Sequence, residues 1–137
     1  MTGQPIVVVH DRGARFAAQI RSHTVHVDQP LQGGGDDSAP TPLELLAASL
    51  GSCIALYVRK FLVARDLVTE GLRIEVSQEI AQRPHRVSRF VIQVILPDDT
   101  PAVYRPMLEA VARVCPAHNT IAHGAEMQIA IALPVAP

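Results

Sequence analysis

Two thiols and one imidazole carry most of the reactive potential of this chain: Cys53, Cys115 and, three residues after the second thiol, His118. Cysteine reacts as the thiolate, so a functional one needs a cation or a helix N-terminus beside it. The two cysteines lie 62 positions apart, and in a reducing compartment such a pair seldom serves as a structural staple. That leaves two readings, a redox pair or two buried thiols acting as small apolar side chains. Two cysteines supply too few ligands for a structural zinc site, and His118 lacks a second C-x-x-C or H-x₃-H companion, so no metal is expected. A Cys–His hydrolase would need a nucleophile-elbow motif that is missing, and His118 is expected to cap or pack near the site. The glycines at 33–35 lack the G-x-x-x-x-G-K-[ST] frame that cradles phosphate, so neither a nucleotide nor another cofactor is expected.

The elements that position these groups follow from pattern. Residues 5–10 are an apolar β-branched run closed by Asp11-Arg12-Gly13, a turn signal. Arg15–Arg21 alternates, with Phe16, Ala18 and Ile20 on one face and Arg15 and Arg21 together on the other. His23–Asp28 alternates again, which gives three strands of an antiparallel meander. A Gly/Pro-rich loop over 30–42 leads to Thr41-Pro42, an N-cap followed by a first-turn proline, with Glu44 placed to suit the helix dipole. This helix is expected from about Pro42 to Arg65. It is apolar nearly all round up to Val58, and its small-residue run Ala47–Cys53 contains Gly51, which costs about 1 kcal/mol in helix propensity and calls for a compensating close approach. The nearly uncharged stretch Leu43–Val58, 16 residues, falls short of the ~20 that cross a bilayer, so a buried helix is expected. Two alternating strands follow, from Leu72 to Ile80 and from Val87 to Leu96, joined at Arg83-Pro84-His85. A helix from about Val103 to Val114 ends at Cys115-Pro116, and a last strand over 126–133 turns Met127, Ile129, Ile131 and Leu133 inward. The order β-β-β-α-β-β-α-β implies an α+β fold with antiparallel sheets.

The chain has 137 residues, 48% hydrophobic and 18% charged, with a formal net charge of −1. That composition excludes disorder and fits one domain over 1–137. It offers no electrostatic case for nucleic acid or an anionic membrane. The start of the chain has no signal-peptide pattern, so a cytoplasmic location is expected. The central helix is too apolar for a lone domain of this size, which points to a homodimer that buries its far side. Three turns into that helix Cys53 gains little from the dipole, whereas Cys115, read as a helix C-terminus, has its thiol pKa raised by it. Physics alone therefore casts Cys53 as the nucleophile and Cys115 as its partner, with inert buried thiols still open.

The segment Gly33-Gly-Gly-Asp-Asp-Ser-Ala-Pro-Thr-Pro-Leu-Glu-Leu-Leu-Ala-Ala-Ser-Leu-Gly-Ser-Cys53, with the distal Cys115-Pro-Ala-His-Asn-Thr-Ile, resembles the OsmC/Ohr family. These names stand for osmotically induced protein C and organic hydroperoxide resistance protein, and the likeness covers nearly the whole chain. The resemblance implies an intertwined homodimer and a thiol-dependent peroxidase for organic, lipid-type hydroperoxides that serves in oxidative stress defence. It implies that Cys53 attacks the peroxide and becomes a sulfenic acid, and that Cys115 resolves it as a disulfide. A dithiol reductant, lipoylated protein in better-studied members, then reduces that disulfide. It also implies an arginine that stabilises the thiolate, assigned to Arg15 with Arg21 in reserve, and a glutamate that pairs with the arginine. The acid stands here at Glu44, one position later than in the peroxidase branches, where Leu43 now sits; one residue turns a helical side chain by ~100°. Leu46, Leu50, Tyr57 and His118 are expected to line the substrate pocket. The alternative function is a non-peroxidatic dimer that binds a small hydrophobic ligand or senses redox state.

Overall fold

The computed structural model describes residues 3–135. Three strands open the chain, β1 (Val7–Arg12), β2 (Arg15–Ile20) and β3 (His23–Val27), followed by the helix α1 (Pro42–Ala64). After them come β4 (Arg73–Gln82), β5 (His85–Ile95), α2 (Arg105–Ala112) and α3 (Pro116–His123). The fold is α+β with two antiparallel sheets, β1-β2-β3 and β4-β5. The expected meander and hairpin are both present. In the first sheet Val8 faces Ala18 and Ala18 faces Val25, and a bulge between His10 and Arg12 precedes the turn at Gly13, whose φ is +52°. Such a positive φ suits glycine.

The chain divides into two compact units, one containing the segments up to Gly51 and Ile74–Gln93, the other Ser52–Arg73 and Val94 onward. In the first unit α1 starts with a reciprocal capping box. The Thr41 N–H donates to Glu44 Oε1 at 2.9 Å and the Glu44 N–H donates to Thr41 Oγ1 at 3.2 Å. The compensation expected for Gly51 is present. A Cβ there would stand 3.1 Å from Val76 Cγ2 and 3.7 Å from Ile74 Cγ2, so glycine lets the helix backbone lie close on β4. The Gln78 side-chain amide ties the same strand to the helix through the Leu43 carbonyl at 2.7 Å.

In the second unit Ile54, Val58, Phe61 and Leu62 of α1 form the core together with Leu108 and Cys115. Phe61 meets Tyr104 edge-on at 5.7 Å between ring centroids, and the Arg65 guanidinium lies 3.6 Å over the Phe61 ring. The helix closes in a Schellman motif. Asp66 is left-handed at φ +55°, its N–H reaches the Val63 carbonyl, and the Leu67 N–H reaches the Leu62 carbonyl at 2.9 Å.

Four expectations need correction. Over 126–133 no strand forms; Met127, Ile129, Ile131 and Leu133 are 81–85% exposed instead of inward. Neither sheet gives this segment a ladder partner, and alternation without a neighbouring edge leaves backbone groups to solvent. The helix expected over Val103–Val114 is a 3₁₀ turn, Ala102–Tyr104, leading into the shorter α2, with Pro106 in its first turn where its missing N–H costs nothing. Cys115-Pro116 does not end a helix but starts one, α3. Finally, α1 reaches 23 residues with a mean hydropathy of 1.5 over its best 18-residue window, so by length and composition it could cross a membrane, contrary to the count over Leu43–Val58. Only 39% of that window is buried within the chain, and Leu46, Leu56 and Val63 stay exposed.

Candidate functional site

The second unit brings the two cysteines together. Cys53 is half-buried on α1 and Cys115 fully buried, and both are free thiols. Cys115 lies near enough to Cys53 for the two thiols to influence each other electrostatically. Cys115 is also the N-cap of α3, its Sγ accepting the His118 N–H at 3.1 Å, with Pro116 at the first helical position. A thiol thus fills the role usually taken by a hydroxyl or carboxamide. The helix end at Cys115 is an N-terminus, so the dipole favours the thiolate rather than opposing it as expected from sequence. Burial nonetheless pushes the Cys115 thiol up. The neighbouring Cys53 thiol adds to the rise, and the His118 and Ala117 N–H groups only partly offset it. Burial beside Cys53 therefore favours the neutral form of the Cys115 thiol.

His118 is half-buried in the first turn of α3, its Nδ1 enclosed without a hydrogen-bond partner. Tyr57 is half-buried on α1 beneath the Lys60 ammonium, which lies 4.9 Å from the ring centroid. An open cleft of about 450 Å³ in this unit is lined by Ser52, Ala55, Leu56, Arg59, Thr69, Glu70 and Leu72. None of the side chains expected to line a pocket is among them. No group of three or more His, Cys, Asp or Glu able to hold a metal occurs among the described residues.

The first unit holds the expected cation and acid. Arg15 opens β2, with its side chain 19% exposed and its Nε 2.8 Å from Asp11 Oδ2. Its Nη1 donates to Ser38 Oγ at 3.1 Å. The carboxylate at Arg15 is therefore that of Asp11, whereas the Glu44 carboxylate accepts the Thr41 N–H in the helix cap. That bond and the Thr41 side chain hold the Glu44 carboxyl below its ordinary range. Leu50 is buried and Leu46 is 40% exposed on the same helix. Arg21 lies beyond β2, in the β2–β3 turn at φ +54°, so the two arginines do not share a strand face.

Sequence reasoning missed Asp28, the one buried charged side chain among the described residues. Its Oδ1 accepts the Gln29 N–H at 2.7 Å, and its Oδ2 accepts the N–H groups of Asp36 and Ser38 and the Ser38 hydroxyl at 2.6 Å. These bonds, the Ser38 hydroxyl foremost, hold its carboxyl down at about 2. The signal was available: an aspartate at the end of a strand, before a glycine-rich loop with serine at 38, is the composition of a side-chain-to-backbone loop staple.

The family described as OsmC-like protein matches residues 34–130. Among solved structures, the chain resembles a Psychrobacter arcticus protein named for osmotic stress induction and detoxification response, at TM-score 0.79 and 23% identity over 88% of this chain and 90% of that one. An OsmC-like protein of Mycoplasma pneumoniae gives TM-score 0.75 at 16% identity, over 88% of each chain. An organic hydroperoxide resistance protein OsmC of Legionella pneumophila gives 0.60 at 19%, over 88% and 91%. No curated protein matches the chain. The family match spans the glycine-rich loop, all of α1 with Cys53, the β4–β5 hairpin and the Cys115 cap, so the chain belongs to the OsmC family.

Proposed function

We propose that this protein is a thiol-dependent peroxidase that reduces organic, lipid-type hydroperoxides. The observation that carries the reading is the neighbouring pair Cys53–Cys115, half-buried against fully buried in one compact unit and assembled from positions 62 apart. Membership of a family that includes organic hydroperoxide resistance proteins supports it. The Cys53 thiolate attacks the distal peroxide oxygen; the O–O bond breaks, an alcohol leaves after taking a proton, and Cys53 is oxidised to a sulfenic acid. Cys115 sulfur then attacks the Cys53 sulfur; the S–OH bond breaks, a disulfide forms, and hydroxide leaves as water with the Cys115 thiol proton. A dithiol, of the lipoyl kind, reduces the disulfide by exchange. Arg15 is assigned the thiolate-stabilising role on the strength of the family resemblance.

Stopped-flow mixing of reduced protein with cumene hydroperoxide is the test. One equivalent should consume both thiols and leave one intrachain disulfide per chain, more rapidly than hydrogen peroxide does. Two free thiols after that dose would sink the proposal, and a Cys53→Ser protein that still binds hydrophobic ligands would then favour the non-peroxidatic reading.

The reading extends to assembly and location. Exposed Val7, Val8 and Val9 of β1, exposed Leu46, Leu56 and Val63 of α1, and the bare apolar alternation at 127–133 are more apolar surface than a monomer usually leaves to water. A second copy that covers them gives a homodimer, in which α1 serves as a core helix and not a membrane span. Light scattering at micromolar concentration should return twice the 14.8 kDa chain mass; a monomer mass would defeat this. A reducing cytoplasm is the compartment such a thiol cycle needs, and fractionation of cells checks it.

A further inference from the structure

Ser38 sits between two opposite charges of the first unit. Its hydroxyl donates to Asp28 Oδ2 at 2.6 Å and accepts from Arg15 Nη1 at 3.1 Å. A serine hydroxyl has a single proton, so once that proton is committed to Asp28 the oxygen can only accept toward Arg15. Asp28 fixes this polarity because it is buried and ionised, with its other bonds taken by the Gln29, Asp36 and Ser38 N–H groups. The loop is drawn so tightly round it that a Cβ on Gly35 would collide with the Gln29 carbonyl and with Asp28 Oδ1.

We infer that Asp28 and Ser38 are positioning residues for the Arg15 guanidinium, forming a relay Asp28–Ser38–Arg15 that sets where the cation points. The inference rests on the proposed role of Arg15 in the peroxidase cycle and names what orients it. Asp11 is a second anchor at Nε, but on the surface: its side chain is 42% exposed, against 19% for Arg15, and solvent weakens its hold. Ser38 takes one of the five N–H directions of the guanidinium, while Asp11 lies 2.8 Å from Nε as an ion pair without accepting its N–H, so donors are left for an incoming anion.

Ser38→Ala removes the relay while keeping the backbone N–H bonds to Asp28, and Ser38→Thr restores the hydroxyl. Two readouts separate the claims: the ¹⁵N order parameter of the Arg15 Nε–H, and the apparent pKa of Cys53 from alkylation rate against pH. Ser38→Ala should lower the order parameter and raise the Cys53 apparent pKa, giving a loss of about threefold or more in alkylation rate at neutral pH. Ser38→Thr should match the parent in both, and adding Ser38→Ala to Arg15→Ala should change the thiol no further. An Arg15 that stays rigid in Ser38→Ala overturns the relay. A thiol shifted by Arg15→Ala but not by Ser38→Ala also overturns it, with the role of Arg15 intact. A loosened Arg15 beside a thiol that neither variant shifts overturns the role of Arg15, and with it the catalytic purpose of the relay.

Discussion

Replacing Cys115 by Ser should leave the first oxidation of Cys53 intact and nearly abolish turnover. The attacking sulfur is untouched, so one equivalent of cumene hydroperoxide is still consumed in a single phase. The sulfenic acid then has no thiol beside it. In the parent protein the sulfur proposed to resolve lies in the same compact unit as Cys53 and close to it, so resolution would be intramolecular. Oriented intramolecular reactions reach very large effective molarities; a modest value of about 0.1 M for Cys115 predicts a roughly 100-fold loss of steady-state rate at ~1 mM dithiol. The residual rate should rise in proportion to dithiol concentration, because the reductant itself must now attack Cys53. Excess peroxide should carry the stalled sulfenic acid to the irreversible sulfinic form, visible as a mass gain of two oxygen atoms. Serine keeps a cap for α3, so the helix survives and lost folding is not a rival explanation. Turnover equal to the parent's would mean that Cys115 does not resolve, and that the contact between the thiols is a matter of packing.

Cys115 also marks the limit of what the sequence discloses. The start of α1 is legible to the residue because Thr41, Pro42 and Glu44 are the residue types a capping box uses, and their contacts are local. The strands are legible because alternation reports two faces of one strand. From sequence the start of α3 reads as a stop, since cysteine is not among the usual N-caps and proline after a helix ordinarily ends it. Proline at the first helical position starts one equally well, and a buried thiol with an N–H to accept completes the cap. At 126–133 the alternation is sound, yet it says nothing about which edge supplies the ladder. In the site, the association of Cys53 with Cys115 is legible from helix position and from motif resemblance, whereas the partner of Arg15 is not. The capping box engages Glu44, and the hairpin turn at Gly13 brings Asp11 to Arg15 instead. The importance of Asp28 is not legible in the sequence because it lies in burial, which composition does not report.

The second large effect concerns the cation. Cys53 sits three turns into α1, beyond the useful reach of the helix dipole, so the peroxidase reading requires a positive side chain beside it. Such a charge within about 4–6 Å typically moves a pKa by ~1–3 units, enough to convert a thiol near 8.5 largely to thiolate. On the role proposed for Arg15, Arg15→Ala should raise the apparent pKa of Cys53 alkylation by at least about one unit, and slow peroxide consumption at neutral pH by on the order of tenfold, with the chain still folded. Arg21→Ala should do much less. Parity along a strand would have made the two arginines equivalent, but the left-handed φ of +54° puts Arg21 in an exposed turn, whereas Arg15 begins β2 with its guanidinium between Asp11 and Ser38. An arginine held by two partners loses less freedom when it meets an anion, so its charge acts at a fixed place. Arg15→Lys separates charge from geometry. Lysine keeps the charge but cannot meet Asp11 and Ser38 through a planar fork, so only part of the pKa shift should be recovered. Full recovery would show that charge alone suffices and that the anchoring is incidental. A shift with Arg21→Ala and none with Arg15→Ala would transfer the role to Arg21. No shift with either would leave Cys53 without an activating arginine on this hairpin and turn the balance toward the ligand-binding reading.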